Sequence, residues 1–171
     1  MSRTIVVTGA CGFTGRHLVN AFADAGHHVV ATDVTIDSWR NDVRWVQADV
    51  RDADAMAAAI EGADTVVHNA SLIHTKRSME PMIWEVNLGG AQNVLAACRK
   101  HGVPRLVYLS SASAVYEGRD IENGDETLPY STISQAPYAD SKIAAEKEIL
   151  AASDDTLATV AIRPHVIFGP H

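Results

Sequence analysis

The run Thr4-Ile5-Val6-Val7-Thr8-Gly9-Ala10-Cys11-Gly12-Phe13-Thr14-Gly15-Arg16-His17-Leu18-Val19 decides the fold. Its first five residues are β-branched throughout, as in a buried strand, and from Phe13 onward the pattern is that of a helix. Between them lie three glycines spaced three and three. A strand that turns through glycine straight into a helix leaves the first N–H groups of that helix unpaired, beside the positive end of its dipole. That place suits the pyrophosphate of a dinucleotide. Gly9 is expected to permit the tight turn, Gly12 the close approach of phosphate, and Gly15 the contact between helix and strand. Such turns also occur with nothing bound, so the motif needs support elsewhere.

Support comes one strand later, where His28-Val29-Val30-Ala31-Thr32 ends at Asp33. A carboxylate there can accept hydrogen bonds from the adenosine ribose hydroxyls and repel the extra phosphate of NADP, which favours NAD. The plainer reading of Asp33 is a residue that opens a turn. Its position one helix beyond the glycine turn favours the functional one.

Strands are expected near residues 3–8, 28–32, 43–47, 64–68, 104–110 and 157–163, with helices near 13–25, 52–61, 80–101 and 138–152. Alternation of this kind, with nearly continuous apolar strands, predicts an α/β fold in which a doubly wound parallel sheet is covered on both faces and joined by right-handed crossovers. The 171 residues read as one dinucleotide-binding domain over 1–171, and 47% hydrophobic with 20% charged residues is ordinary for a globular protein. A net charge of −7 argues against nucleic acid or an anionic membrane surface as partner. With no apolar run near the length of a bilayer span and no leader-like start, the chain reads as cytoplasmic. Cys11 and Cys98 are too few for a disulfide framework; Cys11 reads as a small filler and Cys98 as part of a buried helix stripe. The eight histidines show no helix-spaced ligand pair, so no metal is expected.

The irregular stretch from Glu117 to Pro137 is long for a compact domain, and its charges read as a solvated face flanking an active site. On one side of it stands Tyr138-Ala139-Asp140-Ser141-Lys142, opening a helix behind Pro137. The phenol and the ammonium share one helix face a turn apart. A nearby ammonium stabilises a phenolate, so the pair can accept or donate the proton of an alcohol–ketone conversion. On the other side, Ser110-Ser111-Ala112-Ser113 ends the fifth strand, where hydroxyls face the ligand cleft of a doubly wound sheet. Local turn bonding is the alternative for some of them. His74, Lys76 and Arg77, after the fourth strand, could meet an acidic substrate group, although a solvated loop is the simpler reading.

Taken in order, Thr8-Gly9…Gly12…Gly15, Asp33, Asp49-Val50, Val86-Asn87 to Asn93-Val94-Leu95, Leu109-Ser110-Ser111, Tyr138…Lys142 and Arg163-Pro164…Phe168-Gly169-Pro170 resemble the extended short-chain dehydrogenase/reductase (NAD-dependent epimerase/dehydratase) family. The resemblance implies a Rossmann fold, NAD, and hydride transfer on alcohols, ketones, steroids or nucleotide sugars. It makes Tyr138 the catalytic acid/base and Lys142 the residue that holds the nicotinamide ribose. Ser111 becomes the orienting hydroxyl, with Ser110 and Ser113 as near alternatives. Gly9, Gly12, Phe13 and Gly15 map to the pyrophosphate loop, Asp33 to the adenosine ribose, Asp49 and Val50 to the adenine, and Asn69 and Ala70 to the segment beneath the cofactor. Asn87 is expected to brace the sheet. Ser110 to Gly118, followed by Asp120-Ile121-Glu122-Asn123-Gly124 and Leu128-Pro129-Tyr130, is most similar to the 3β-hydroxysteroid and sterol-4-carboxylate dehydrogenase branch.

The expected reaction is therefore NAD-dependent oxidation of a secondary alcohol, with a 3β-hydroxysteroid as the leading substrate. A nucleotide-sugar epimerase or dehydratase is the alternative. Family members run on well past the Gly-Pro motif, so the resemblance implies a fold truncated before the C-terminal substrate-binding part. A non-catalytic NAD-binding module is then a further alternative. The helices near 80–101 and 138–152 resemble those of family homodimers, with Ile143, Ile149 and Leu150 as apolar surface or, equally, as ordinary core.

Overall fold

The computed structural model describes residues 1–74, 77–133 and 136–170. Among these, six parallel strands form one sheet: β1 (Thr4–Thr8), β2 (His28–Asp33), β3 (Arg44–Gln47), β4 (Thr65–His68), β5 (Arg105–Leu109) and β6 (Ala158–Ile162), in the order β3-β2-β1-β4-β5-β6. The chain runs outward from β1 to β3, then crosses back past β1 to build β4 to β6. That reversal opens a crevice outside the carboxyl ends of β1 and β4, the usual ligand site of such sheets.

Strands β1 to β5 divide their side chains between two cores. Val6, Val30, Val66 and Leu106 pack with Met56, Ile60, Val94 and Ile149, the side chains of helices α2 (Ala53–Ile60), α4 (Gly90–His101) and α5 (Pro137–Ala151). Ile5, Val7, Val29, Ala31 and Val67 pack on the other face with Val19, Leu18 and Phe22 of α1 (Phe13–Asp24). Burial on both faces is why these strands lack polar alternation. Val6 and Val66 are fully buried, each contributing roughly 1.5–3 kcal/mol.

The register also shows where cover ends. Val107 pairs with Val160 and Leu109 with Ile162, which puts Val160 and Ile162 on the α1 side of the sheet. Both are 49% exposed, and Val166 and Phe168 further along the chain are exposed as well. On α5, Ile143 and Ile149 are buried, so of the three residues named as dimer surface or core only Leu150 is exposed.

The single helix expected over 80–101 is divided. α3 (Glu80–Trp84) passes through a π turn, Glu85–Gly89, before α4 begins at Gly90. The break falls where the helix meets a distant segment: a Cβ on Gly90 would stand 2.6 Å from Val50 Cγ2, so the chain presses against Val50 where it carries no side chain. The extra residue of the wide turn brings Asn87 inward to 1% exposure. Such turns are frequent at functional sites. The segment after β5 is irregular over its described residues 117–133, and it is tied back on itself: Ser131 N–H donates to Ala114 O at 2.8 Å and Thr132 N–H to Glu117 Oε1 at 2.8 Å. No helix among the described residues is long and apolar enough to cross a membrane.

Candidate active site

The glycine turn is fixed by contacts that leave no room for side chains. Gly9 has φ +63°, and a Cβ there would lie 2.7 Å from Ala70 Cα. At Gly15 it would lie 2.1 Å from Gly9 O, so the closest contact is with the turn itself rather than with the strand. Gly12 is the residue before α1, whose start has no side-chain cap and no acidic residue in its first turn. An uncapped helix start without an acidic side chain, beside a glycine bend, fits a phosphate group.

Asp33, at the end of β2, closes one side of this bend. Its Oδ2 accepts from Cys11 N–H at 2.9 Å and its Oδ1 from Val34 N–H at 2.8 Å. β4 closes the other side. Asn69 Nδ2 donates to Gly9 O at 2.9 Å, while the N–H groups of Asn69 and Ala70 both donate to Thr8 Oγ1. The Asn69 side chain therefore holds the turn. Gly9, Gly12, Phe13, Asp33, Asn69 and Ala70 line one groove of about 740 Å³, joined at its far wall by Asp49 and Val50. Asp49 is occupied by Arg51, which donates to both carboxylate oxygens and holds the acid below its usual range. Val50 is mostly buried, its carbonyl accepting from Asn93 Nδ2 at 2.9 Å. Gly15 supports the groove from behind and does not line it.

Tyr138 lies half-buried in the first turn of α5, after Pro137, and Lys142 follows one turn later at 1% exposure. The Lys142 ammonium donates to Leu109 O at the end of β5 and sits 4.2 Å from the centroid of the Tyr108 ring. Burial pushes its pKa down to about 7, against the opposing pull of the Glu146 carboxylate. Behind Tyr108 the His68 ring stacks at 5.6 Å, and its Nδ1 shares a 2.8 Å hydrogen bond with Thr8 Oγ1. Burial holds His68 neutral, with its pKa down to about 3. Tyr138 and Lys142 do not line the glycine groove, but Asn87 links the two. Its Oδ1 accepts from Leu72 N–H at 2.7 Å in the groove wall, and its Nδ2 donates to Ser141 Oγ at 3.0 Å beside Lys142. Asn87 thus ties the segment after β4 to the helix that carries Tyr138 and Lys142.

The serines separate. Ser110 is buried and donates to Glu146 Oε2, so it is engaged behind the sheet. Ser111 and Ser113 are half-buried and share a 2.8 Å hydrogen bond; both border a larger cavity of about 1460 Å³ that extends over β6. Ser111 also caps the short turn Ala112–Ala114 through Ser113 N–H, the local bonding anticipated for this cluster. His74 is half-buried, while Lys76 and the side chain of Arg77 lie outside the described residues. Among the described residues no group of three or more His, Cys, Asp or Glu side chains is placed to hold a metal.

Sequence reasoning missed Glu146. This acid is 1% exposed and collects Ser110 Oγ on one oxygen, with Tyr130 Oη at 3.0 Å and Arg163 Nε at 2.9 Å on the other. Tyr138, Lys142 and Glu146 recur every four residues along one face of α5, a spacing that could have exposed it.

The model of the 3-beta hydroxysteroid dehydrogenase/isomerase family matches residues 6–171. A 3 beta-hydroxysteroid dehydrogenase/Delta 5→4-isomerase of Mycobacterium tuberculosis is 38% identical over 174 residues, covering 96% of this chain and 47% of that protein. A decarboxylating sterol-4-alpha-carboxylate 3-dehydrogenase of Bos taurus is 36% identical over 171 residues, 99% of this chain and 48% of its own. Among solved structures, the Thermus thermophilus UDP-glucose 4-epimerase in complex with NAD superposes with a TM-score of 0.80 at 33% identity, over 94% of this chain and 54% of the epimerase. The chain spans about half the length of the curated relatives it matches. With the glycine turn, Asp33 and the Tyr138–Lys142 helix arranged as described, it belongs to the 3-beta hydroxysteroid dehydrogenase/isomerase family.

Proposed function

We propose that this chain is the dinucleotide-binding unit of an NAD-dependent dehydrogenase that oxidises the 3β-hydroxyl of a sterol-type substrate to a ketone. The observation that carries the reading is the link from Leu72 in the groove wall through Asn87 to Ser141, which ties the glycine groove to the helix bearing Tyr138 and Lys142. When bound, the dinucleotide supplies the hydride acceptor. Gly9, Gly12 and Phe13 hold its pyrophosphate at the start of α1, and Asp33 accepts from the adenosine ribose hydroxyls while repelling a 2′-phosphate. Asp49 and Val50 border the adenine, Asn69 and Ala70 the floor. Tyr138 takes the substrate hydroxyl proton, Ser111 orients the reacting oxygen, and Lys142 favours the phenolate and holds the nicotinamide ribose.

Oxidation of a panel of 3β-hydroxysteroids and of UDP-sugars, followed by NADH absorbance, tests this. Turnover of the steroids that disappears in Tyr138→Phe supports it. Interconversion of UDP-sugars, followed by chromatography because an epimerase returns its hydride and leaves no net NADH, would favour the second reading, an epimerase-type enzyme, for which the 33% identity to the Thermus epimerase speaks. NAD binding without turnover of either would mark a non-catalytic module.

A further inference from the structure

Arg16 follows Gly15 in the first turn of α1 and lies on the rim of the glycine groove, together with Asp33 and Asp37. Its guanidinium stacks 4.2 Å from the centroid of the Trp39 ring, and its Nη2 donates to the Asp37 carboxylate. The indole is itself fixed: Trp39 Nε1 donates to Asn20 Oδ1 at 2.8 Å, and its ring packs on Trp45 at 4.5 Å. Cys11 joins the two acids to the bend, its N–H donating to Asp33 and its Sγ accepting from Asp37 N–H at 3.5 Å. A stacked guanidinium has already lost much of its freedom and presents a planar fork suited to phosphate. Here the fork is turned to a carboxylate, in an ion pair whose acid is 68% exposed and therefore weakly held.

We propose that Arg16 is a masked 2′-phosphate ligand, and that Asp37, by occupying it, acts with Asp33 to exclude NADP. The proposal rests on the reading of this groove as the dinucleotide site. Asp33 repels the phosphate directly, whereas Asp37 withholds the one stacked cation described on that rim. Removing Asp33 alone would leave Arg16 neutralised; removing both carboxylates would leave a cation, an aromatic base and the bend that already holds the pyrophosphate.

The test is titration of NAD and NADP, followed by calorimetry, into the full chain as wild type, Asp33→Ser, Asp33→Ser/Asp37→Ser, and that double variant carrying Arg16→Met or Arg16→Lys. NADP affinity is expected to rise about tenfold with the first substitution and about tenfold again with the second, as two like charges are removed in turn. Arg16→Met should cancel the second gain, Arg16→Lys should keep part of it, and NAD affinity in the double variant should change less than about twofold with either. NADP binding in the double variant that is insensitive to Arg16→Met, or no second gain from Asp37→Ser, would overturn the proposal. Failure of the wild-type chain to bind NAD at all would instead remove the dinucleotide reading on which it rests.

Discussion

Replacing Lys142 with methionine should make the protein more stable at neutral pH and abolish a rise of stability with pH. Lys142 is almost fully buried, and desolvation brings its ammonium from 10.5 to about 7 even with Glu146 pulling the other way. Between those values the unfolded chain holds a proton that the folded chain has released, so unfolding becomes harder as pH rises, by up to about 1.4 kcal/mol per pH unit. Below pH 7 the whole cost is present, about 5 kcal/mol, and at pH 7, where the folded group is half-titrated, about 4 kcal/mol. From pH 7 to 8.5 the wild type should gain on the order of 1–2 kcal/mol. Other buried groups stay silent in that window. His68, held down to about 3, loses its influence above about pH 6.5, and Cys98, pushed up to about 12, begins to cost stability only above about 9. Tyr108 is raised further still by burial. Urea unfolding followed by circular dichroism at pH 7.0, 7.75 and 8.5 measures the slope. A wild type with flat stability across the window, or a methionine variant that keeps the slope, would refute the reasoning.

Substitutions at three further positions probe the scaffold. Gly9→Ala combines a left-handed backbone with a Cβ 2.7 Å from Ala70 Cα, and urea unfolding should show a loss of about 2–5 kcal/mol together with the loss of NAD binding. Glu146→Ala strands Arg163, Tyr130 and Ser110 and should cost about 3–5 kcal/mol in the same assay, with Glu146→Gln recovering part of it. Asn87→Ala leaves Leu72 and Ser141 without their partner; about 1–3 kcal/mol should be lost, and hydrogen exchange of the Leu72 amide should accelerate.

The sheet was legible in the sequence because β1, β2, β4 and β5 are covered on both faces, so continuous apolar runs flanked by glycine or polar residues marked them. Asp33 could be placed because it ends one of those runs. The break in the helix over 80–101 was hidden: one inserted residue in a π turn leaves apolar spacing almost unchanged, and the contact at which it falls, Gly90 against Val50, comes from a distant segment. Glu146 was missed because a glutamate on a helix reads as solvent-facing until Arg163 arrives from beyond β6. The serines could have been separated from sequence. Side chains alternate along β5, so Ser110 shares the face of Tyr108, toward α5, and Ser111 does not. The pairing of Asp49 with Arg51 two residues on also lay in plain view.

A crystal structure of the chain with NAD tests the central claim most directly. Pyrophosphate is expected on the backbone at Gly12 and Phe13, the adenosine ribose on Asp33, and the nicotinamide end directed to Tyr138 and Lys142. A dinucleotide whose nicotinamide end turns away from α5, or a glycine groove that stays empty at saturating NAD, would contradict it.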